Sequence, residues 1–326
     1  MFEFKAKTAL ITAGIILGML ALAAGASWIS GIAKNASENI KNSQMEENNQ
    51  FGLPKTELKK DKERTNMLLL GIGGPDHTSG TLTDTLIFAS VKTETKEANF
   101  ISIPRDMWVF YESEDYPKEG VSRFTYQDGW QKINEIYHLS GGQEKPNIEA
   151  ARHVAKKVSE VTGQPVHYAV IINLNGVEKI VDILGGIEVD GVHMTGNDAV
   201  KYIRDRSGPG SDFDRMKHQQ AVLLAIQNKL TKQEELGLSK LLELYNAAQE
   251  NIVTDAGSDE FLGFYELMGK IDPENTNMHT IAIAGNNLLS EEYIDLNGQN
   301  IYTLRPSAGK ENYEEIQKFI GEILGM

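Results

Sequence analysis

Beyond residue 65 the chain alternates between strand-like and helix-like stretches. Residues 66–72 (NMLLLGI) form a continuous apolar run, which is typical of a strand that is buried on both faces. Residues 148–162 instead place alanine and valine every three or four positions, which is the spacing of one helical face. This alternation predicts an α/β fold with helices on both sides of a sheet. We therefore expect residues 65–326 to form a three-layer α-β-α domain with a mixed central sheet.

The order of the predicted elements supports a sheet with strands in both directions. Residues 83–92 and 99–104 are strand-like stretches joined by a short charged turn, so we expect them to pair antiparallel. Further strands are predicted at residues 167–174, 279–284, 293–296 and 301–304, and further helices at residues 177–184, 197–204, 211–230 and 313–324. The sequence shows no internal repeat and no second domain boundary in this region.

The N-terminal region carries a long uncharged segment. Residues 8–32 contain no charged side chain, and about 20 apolar residues allow a helix to cross a bilayer. We expect residues 8–33 to be a transmembrane anchor, with a cleavable signal peptide as the alternative. Two lysines precede the segment, so the positive-inside rule places residues 1–7 in the cytoplasm and the rest outside the cell membrane. The polar residues 34–64 are expected to form an extracytoplasmic stalk.

Composition excludes several classes of function. The chain of 326 residues has a formal net charge of −14. This charge argues against a nucleic-acid partner, because general nucleic-acid binders present a basic face. An anionic ligand held by a local group of arginines remains compatible with the overall acidity. The chain contains no cysteine, which excludes disulfides, thiolate metal ligands and thiol nucleophiles.

A glycine-rich loop follows the first predicted strand. Residues 71–80 (GIGGPDHTSG) lack both the Gly-Lys-Ser/Thr of a Walker loop and the spacing of a dinucleotide fingerprint. Glycines at the end of a buried strand allow the backbone to approach a phosphate. Loops of this composition are also ordinary turns, and the sequence alone does not separate the two readings.

Acidic and basic side chains lie at the ends of the next two predicted strands. Asp84 is either a strand residue bonded to a turn or a ligand of a hard cation such as Mg²⁺, with Asp76 as the candidate second carboxylate. Arg105 and Asp106 follow the strand at residues 99–104. They form either a surface ion pair or part of a phosphate site, since arginine binds phosphate in a bidentate manner.

A third group surrounds a Ser-Gly-Pro-Gly loop. Arg204 and Arg206 flank the end of one predicted helix, and Asp212 and Arg215 lie at the start of the next. Because Asp212 and Arg215 are three residues apart, they share a helical face, and a helix N-terminus attracts anions. Asp212 is also a favourable first-turn acid on structural grounds alone. Three arginines within twelve residues favour an anion-binding group.

Six segments together resemble the LytR-CpsA-Psr domain in order and spacing. They are MLLLGI, LTDTLIFASV, NFISIPRDMWV, KINEIYHLSGG, VHYAVIINLNGVEKIVDILGGIEV and DAVKYIRDRSGPGSDFDRMKHQQ. The resemblance covers about residues 65–230. It implies an enzyme that holds a polyprenyl pyrophosphate lipid, with the lipid chain in an apolar tunnel between sheet and helices. It also implies that arginines and Mg²⁺ hold the pyrophosphate.

The resemblance extends to individual residues where the motifs match. The corresponding positions are Asp84 for the metal-associated aspartate, Arg105 for the Ile-Pro-Arg-Asp arginine, Arg204, Arg206 and Arg215 for the pyrophosphate-binding arginines, Asp212 for their acidic neighbour, and Lys132 and Asn134 for the Lys-Ile-Asn motif. Two positions depart from the pattern. Gly73-Gly74 stands where many members have Gly-x-Asp, which leaves Asp76 as the nearest acid, and His218 stands where many members have an arginine.

The resemblance implies a glycopolymer phosphotransferase of cell wall biogenesis. Its donor would be a glycopolymer on polyprenyl pyrophosphate, and its acceptor a hydroxyl of peptidoglycan or another wall glycan. Mg²⁺ would lie on Asp84 and Asp76, and Asp106 or Asp212 would accept the hydroxyl proton. Two alternatives remain open at this point. One is hydrolysis of the same lipid by a pyrophosphatase, and the other is a non-catalytic lipid-binding or regulatory surface protein.

Overall fold

The computed structural model describes most of the chain beyond residue 56. The described residues are 57–74, 82–92, 94–112, 129–143, 145–208, 212–232, 238–260, 263–264, 267, 276–282, 285–296 and 298–326. The predicted membrane anchor at residues 8–33 lies outside these ranges, as do residues 1–7 and most of the stalk at residues 34–64. None of the helices within the described ranges combines the length and apolar character needed to cross a membrane.

Strands and helices alternate along the described residues. The strands are β1 Arg64–Ile72, β2 Thr83–Lys92, β3 Glu97–Ser102, β4 Trp108–Phe110, β5 Trp130–Lys132, β6 Tyr168–Asn173, β7 Ile187–Val189, β8 Val192–Met194, β9 Ile252–Thr254, β10 Thr276–Thr280, β11 Leu289–Leu296 and β12 Gln299–Pro306. The α-helices are α1 Glu135–Leu139, α2 Ile148–Thr162, α3 Leu174–Ile183, α4 Gly196–Arg204, α5 Asp212–Lys232, α6 Leu238–Asn251 and α7 Glu314–Leu324.

Among the described residues, six strands form the central sheet, in the order β10-β3-β2-β1-β6-β9. The pairs β1–β6 and β3–β10 are parallel, whereas β1–β2, β2–β3 and β6–β9 are antiparallel. The predicted mixed sheet and the antiparallel pairing of β2 with β3 are therefore confirmed. This topology brings the ends of β1, β3 and β6 and the start of β2 to one edge of the sheet.

Apolar side chains cover both faces of the sheet. On one face, Leu68, Leu70 and other strand residues pack against α1, α2 and α7. On the other face, Met67 and Leu69 belong to a core built with α3, α4, α5 and α6. Alternate residues of β1 thus enter different cores, which is why its sequence is a continuous apolar run. Helices lie on both sides of the sheet, in the expected three layers.

Local sequence signals fix the helices that lead to the sheet edge. The side chain of Asn173, the last residue of β6, accepts a hydrogen bond from the backbone of Gly176 and so caps α3. Thr195 and Asp198 form a capping box at the start of α4. Both helices therefore begin at defined positions, and α4 ends at Arg204.

The structure differs from the sequence-based prediction mainly in its short elements. The prediction missed α1, β9 and the hairpins β4–β5 and β7–β8, because strands of three residues and a helix of five are too short to show a period. The third strand ends at Ser102 rather than at residue 104, since Pro104 has no N–H for the ladder. The helix predicted at residues 177–184 begins instead at Leu174, where Asn173 caps it. The boundaries predicted for the domain, residues 65–326, remain a prediction.

Candidate active site

Asp84 occupies a β-bulge at the edge where β1 ends and β2 begins. The register pairs Ile72 with Thr83 and Gly71 with Thr85, so Asp84 has no partner on β1. In a regular strand, Asp84 and Thr85 would point to opposite faces of the sheet. Both residues nevertheless line the same cavity. The bulge therefore turns Asp84 towards the face that carries α4 and α5.

Arg105 lies in the turn after β3, and the segment around β5 holds this turn in place. The backbone N–H of Asn134 donates to the carbonyl oxygen of Arg105 (3.3 Å). The carbonyl oxygen of Asn134 accepts from the backbone N–H and the hydroxyl of Thr83, at 3.4 and 3.2 Å. Lys132 places its ammonium 2.5 Å from the carboxylate of Asp106. The Lys-Ile-Asn motif thus joins the turn at Arg105 to the start of β2.

The guanidinium of Arg105 lies among three carboxylates. Its Nη1 contacts Oδ1 of Asp84. Its Nε lies 3.2 Å from Oδ1 of Asp212 and 3.5 Å from Oδ2 of Asp106. Three residues that are far apart in the sequence are therefore held together by one arginine.

Asp212 and Arg215 come from the first turn of α5 and reach the same place. The Nη2 of Arg215 lies 2.7 Å from Oδ1 of Asp212 and donates to the carbonyl oxygen of Asp84 at 3.2 Å. Its Nη1 lies 3.6 Å from Oδ1 of Asp84. Arg215 is only 2% exposed, so the start of α5 is fixed to the bulge by a buried guanidinium.

Arg204 and Arg206 complete the group from the end of α4. Arg206 lies 3.9 Å from both Asp84 and Asp212, and its side chain is 42% exposed. Arg204 lines the cavity together with Arg206. The structure therefore brings together every site residue predicted from the sequence, except Asp76, which lies outside the described residues.

Burial and neighbouring charges act on the two central ionisable groups. Burial alone would lower the pKa of Arg105, but the carboxylates of Asp106, Asp84 and Asp212 hold this pKa above its ordinary value. Burial raises the pKa of the Asp212 carboxyl, although Arg105 and Arg206 oppose the rise. A carboxylate with a raised pKa is a stronger base than one in water, which suits Asp212 to accept a proton.

An apolar cavity of about 540 Å³ lies between the sheet and helices α3, α4 and α5. Its walls are mainly aliphatic side chains, which include Leu69, Ile87, Val170, Val177, Ile180, Ile203, Val222, Leu223 and Ile226. The charged residues on its described wall are four arginines and one aspartate, namely Arg105, Arg204, Arg206, Arg215 and Asp84. From Arg215 to Ile226, α5 advances about 16 Å at 1.5 Å per residue. The cavity suits a ligand with a hydrocarbon part of about this length and an anionic end.

Asp84 is the described residue best placed to hold a divalent cation. Within the described residues, its ion pairs all use Oδ1, so Oδ2 is the oxygen left for a metal. Nowhere in the described ranges do three or more His, Cys, Asp or Glu side chains form a group that could hold a metal ion by themselves. Mg²⁺ commonly takes one or two carboxylates and completes its shell with water and substrate phosphate. The donor set therefore fits a Mg²⁺ ion that is shared with a phosphate ligand.

Two polar residues of the cavity were not singled out from the sequence. Gln219 and Asn173 both line the cavity, and the position of Asn173 at a strand end was the available signal. His218, by contrast, lies away from the arginines. Its ring packs on Tyr202 with 4.2 Å between centroids, and it lines a separate depression of about 390 Å³. The structure thus brings Gln219 rather than His218 to the cavity.

Known proteins share both the sequence pattern and the fold. Polyisoprenyl-teichoic acid–peptidoglycan teichoic acid transferase TagU of Enterococcus faecalis is 28% identical over 233 residues, which cover 65% of this chain and 69% of the relative. TagU of Bacillus subtilis is 26% identical over 277 residues, which cover 78% of this chain and 80% of the relative. The crystal structure of B. subtilis TagV matches with a TM-score of 0.57 at 21% identity, over 82% of this chain and 99% of that chain. The structural match establishes the fold.

The family assignment follows from the extent of the sequence match. The pattern of the LytR_cpsA_psr family matches residues 27–192 and 191–315, which is most of the chain. The match takes in the bulge at Asp84, the turn at Arg105 and the first turn of α5. The chain belongs to the LytR-CpsA-Psr family.

Proposed function

We propose that this protein transfers a glycopolymer from a polyprenyl pyrophosphate carrier to a hydroxyl of peptidoglycan or another wall glycan. The observation that carries the proposal is the apolar cavity, whose charged wall holds four arginines against one aspartate. The rest of the chain is strongly acidic, so this local excess of positive charge suits an anionic ligand. The names of the TagU relatives, which combine a polyisoprenyl-linked donor with a peptidoglycan acceptor, support the same reaction.

The carrier lipid would lie in the cavity with its hydrocarbon chain along α5. Aliphatic side chains line the cavity to a depth of about 16 Å from Arg215. Burial of hydrocarbon is worth about 25 cal/mol per Å² of apolar surface, so even a partly enclosed polyprenyl chain gains substantial affinity. The pyrophosphate would then stand at the arginine group, because a lipid enters with its apolar end first.

The pyrophosphate would take over contacts that the carboxylates make in the free protein. Arg105, Arg206 and Arg215 each contact Asp84, and their guanidinium groups offer paired donors to phosphate oxygens. Arg204 lines the same wall. Fixed positive charges next to the phosphate oxygens stabilise the charge that develops on them during transfer.

Mg²⁺ would be held by Asp84, with Asp76 as the second candidate. A bound Mg²⁺ supplies positive charge next to phosphate oxygens. The residues of the chain provide the remaining functions. Lys132 keeps Asp106 next to Arg105, and Arg215 keeps Asp212 at the same place.

The proposed reaction is a phosphoryl transfer with a balanced exchange of bonds. An acceptor hydroxyl attacks the phosphorus that carries the glycopolymer, and a new phosphodiester bond forms. The bond from this phosphorus to the bridging oxygen breaks, and polyprenyl phosphate leaves with that oxygen. Asp212 or Asp106 accepts the hydroxyl proton. Asp212 is the better candidate, since burial raises the pKa of its carboxyl.

The reaction requires the domain to lie outside the cell membrane, where the wall glycan is. We propose that the uncharged segment at residues 8–33 anchors it there, with residues 1–7 in the cytoplasm. A single span would keep the cavity close to the bilayer that carries the donor lipid.

The test follows polyprenyl phosphate release from a polyprenyl pyrophosphate-linked sugar, with Mg²⁺ and a wall glycan acceptor. Asp84→Asn and Arg204→Ala should each lower the rate by about a hundredfold, by analogy with the loss of one oxyanion-stabilising group. Arg152→Ala is the matched control, because Arg152 lies on α2, on the other face of the sheet, and its side chain is 51% exposed. Full activity of Arg204→Ala would mean that the pyrophosphate is bound elsewhere.

The same assay separates the alternatives. Release that requires the acceptor indicates transfer, and release that is independent of it indicates a pyrophosphatase. Tight binding of the lipid without release indicates a non-catalytic lipid-binding protein. Omission of Mg²⁺ should abolish release if the ion acts with Asp84.

A further inference from the structure

The hairpin formed by β4 and β5 presents a strip of aromatic side chains. Phe110 lies directly opposite Trp130, and Trp108 lies opposite Lys132. Directly opposed residues of an antiparallel pair point to the same face, so these four side chains share one face of the hairpin. The residues between them are buried on the other face, against the core with α1 and α2. We call Trp108, Phe110 and Trp130 the aromatic strip.

Phe110 and Trp130 are the solvent-facing part of the aromatic strip, because Trp108 is only 4% exposed. The rings of Trp108 and Trp130 are stacked, with an angle of 14° and 6.4 Å between centroids. The ring of Phe110 meets that of Trp130 edge-on at 5.6 Å. Gly129, at φ +85°, lies against the Phe110 ring and leaves no room there for a side chain. Phe110 is nevertheless 38% exposed, so a fixed apolar surface faces solvent.

The strip is continuous with the candidate active site. Lys132 shares its face and binds Asp106, and Asp106 contacts Arg105. Trp108 follows Asp106 by two residues, which is about 7 Å along an extended chain. The apolar cavity lies on the opposite face of the sheet, with α3, α4 and α5. The strip and the cavity therefore reach the arginines from different sides.

The ammonium group of Lys310 lies over one ring of the aromatic strip. The Nζ of Lys310 lies 5.6 Å from the centre of the Trp130 ring and 3.7 Å from Oε1 of Glu292. The Lys310 side chain is 51% exposed, so its ammonium remains open to a ligand as well. Aromatic faces bind C–H groups of a ligand, and an exposed ammonium binds hydroxyl or carboxylate oxygens. Pyranose rings offer both kinds of group, because one face carries C–H bonds and the rim carries oxygens.

We propose that the aromatic strip binds the acceptor glycan and directs one of its hydroxyls towards the phosphate at Arg105. The inference rests on the proposed transfer and adds the place at which the acceptor, a chain of linked pyranose rings, binds. The rings stack on Phe110 and Trp130, and Lys310 holds their polar substituents. The cavity and the strip then bring donor and acceptor together from opposite sides of Arg105.

The first test is binding of a tetrasaccharide of alternating N-acetylglucosamine and N-acetylmuramic acid to the 326-residue chain, measured by calorimetry without donor lipid. Phe110→Ala and Trp130→Ala should each weaken binding about tenfold, whereas Trp130→Tyr should retain most of it. Lys310→Met, which removes the ammonium and keeps an unbranched side chain, should weaken binding about threefold. Val192→Ala is the control, since Val192 is 58% exposed on the β7–β8 hairpin, whose buried residues belong to the core on the other face of the sheet, and it should bind as the wild type does. Wild-type affinity in both strip variants, or no binding to the wild type, would overturn the inference.

The second test separates this inference from the proposed transfer. The KM for the acceptor should rise at least fivefold in Phe110→Ala, while donor lipid binding stays unchanged. If acceptor-dependent release occurs and the KM does not change, the strip is not the acceptor site and the transfer reaction stands. If the tetrasaccharide binds through the strip but no acceptor-dependent release occurs, the transfer proposal fails and the glycan site stands.

Discussion

Replacement of Arg215 by methionine tests how the start of α5 is held to the bulge at Asp84. The change keeps much of the side-chain length and removes the guanidinium. It thereby removes the 2.7 Å ion pair with Asp212 and the 3.2 Å hydrogen bond to the carbonyl oxygen of Asp84. A hydrogen bond to a charged group contributes about 1.5–3 kcal/mol, and both contacts are of this kind because the guanidinium takes part in each. We expect the free energy of unfolding to fall by about 3 kcal/mol at pH 7.

The loss should depend on pH with a defined sign. Burial raises the pKa of Asp212 above its ordinary value of 3.8, and removal of Arg215 takes away a nearby positive charge. A carboxyl group whose pKa is raised in the folded state lowers the free energy of unfolding while it is ionised. This loss is relieved as the pH falls towards the raised pKa, because the group then takes up a proton. Protonated Asp212 needs no cationic partner. The difference between variant and wild type should therefore shrink as the pH falls from 7 towards the ordinary aspartate range.

Equilibrium urea unfolding, followed by circular dichroism at pH 7 and at lower pH towards the ordinary aspartate range, measures the effect. Asp212→Asn should recover part of the stability lost in Arg215→Met, because the buried carboxylate that has lost its 2.7 Å partner is then gone. Arg152→Met is the control, and the loss of its half-exposed ion pairs should cost less than about 1 kcal/mol. An equal loss in both arginine variants, or a loss in Arg215→Met that does not change with pH, would refute this reasoning.

Three further predictions concern the cavity, a histidine and a loop glycine. Leu223→Trp should fill the cavity that Leu223 lines and weaken binding of the polyprenyl pyrophosphate-linked sugar at least tenfold, whereas Val192→Trp, at a position 58% exposed, should not. Burial holds the pKa of His167 below its ordinary 6.5, so the unfolded chain gains a proton that the folded chain resists. The free energy of unfolding of the wild type should thus fall as the pH drops below about 6.5, and it should fall less in His167→Asn. The same dependence on pH in both proteins would contradict this. Gly74→Ala should lower the free energy of unfolding by about 1–2 kcal/mol, since Gly74 has φ +91° and an added Cβ would lie 3.3 Å from Asn173; unchanged stability in urea would argue against the strain.

The long elements of the fold could be predicted from the sequence because the apolar residues of each are regularly spaced and buried. The run at β1 alternates between two cores, and such a run is typical of a central strand. Helix α2 occupies the predicted residues, since Asn147 caps its start and Gly163 in the left-handed region ends it. In both cases local preference and tertiary packing agree.

The arrangement of the candidate site depends on features that no local pattern shows. The bulge that turns Asp84 exists only in the register between β1 and β2. Strands β4 and β5 have three residues each, so the role of Lys132 beside Asp106 became visible only in the folded chain. Motif resemblance identified the arginines, but the fact that three of them contact one carboxylate is a property of the fold.

The measurement that tests the central claim most directly is the reaction of wild-type protein with donor, Mg²⁺ and wall glycan in ¹⁸O-labelled water. Transfer to a glycan hydroxyl predicts a new phosphodiester between glycopolymer and acceptor, polyprenyl phosphate as the second product, and no ¹⁸O in either. Arg204→Ala should lower both products together. A glycopolymer phosphate that carries ¹⁸O and is formed equally without acceptor would contradict the account, because water would then be the group that attacks the phosphorus.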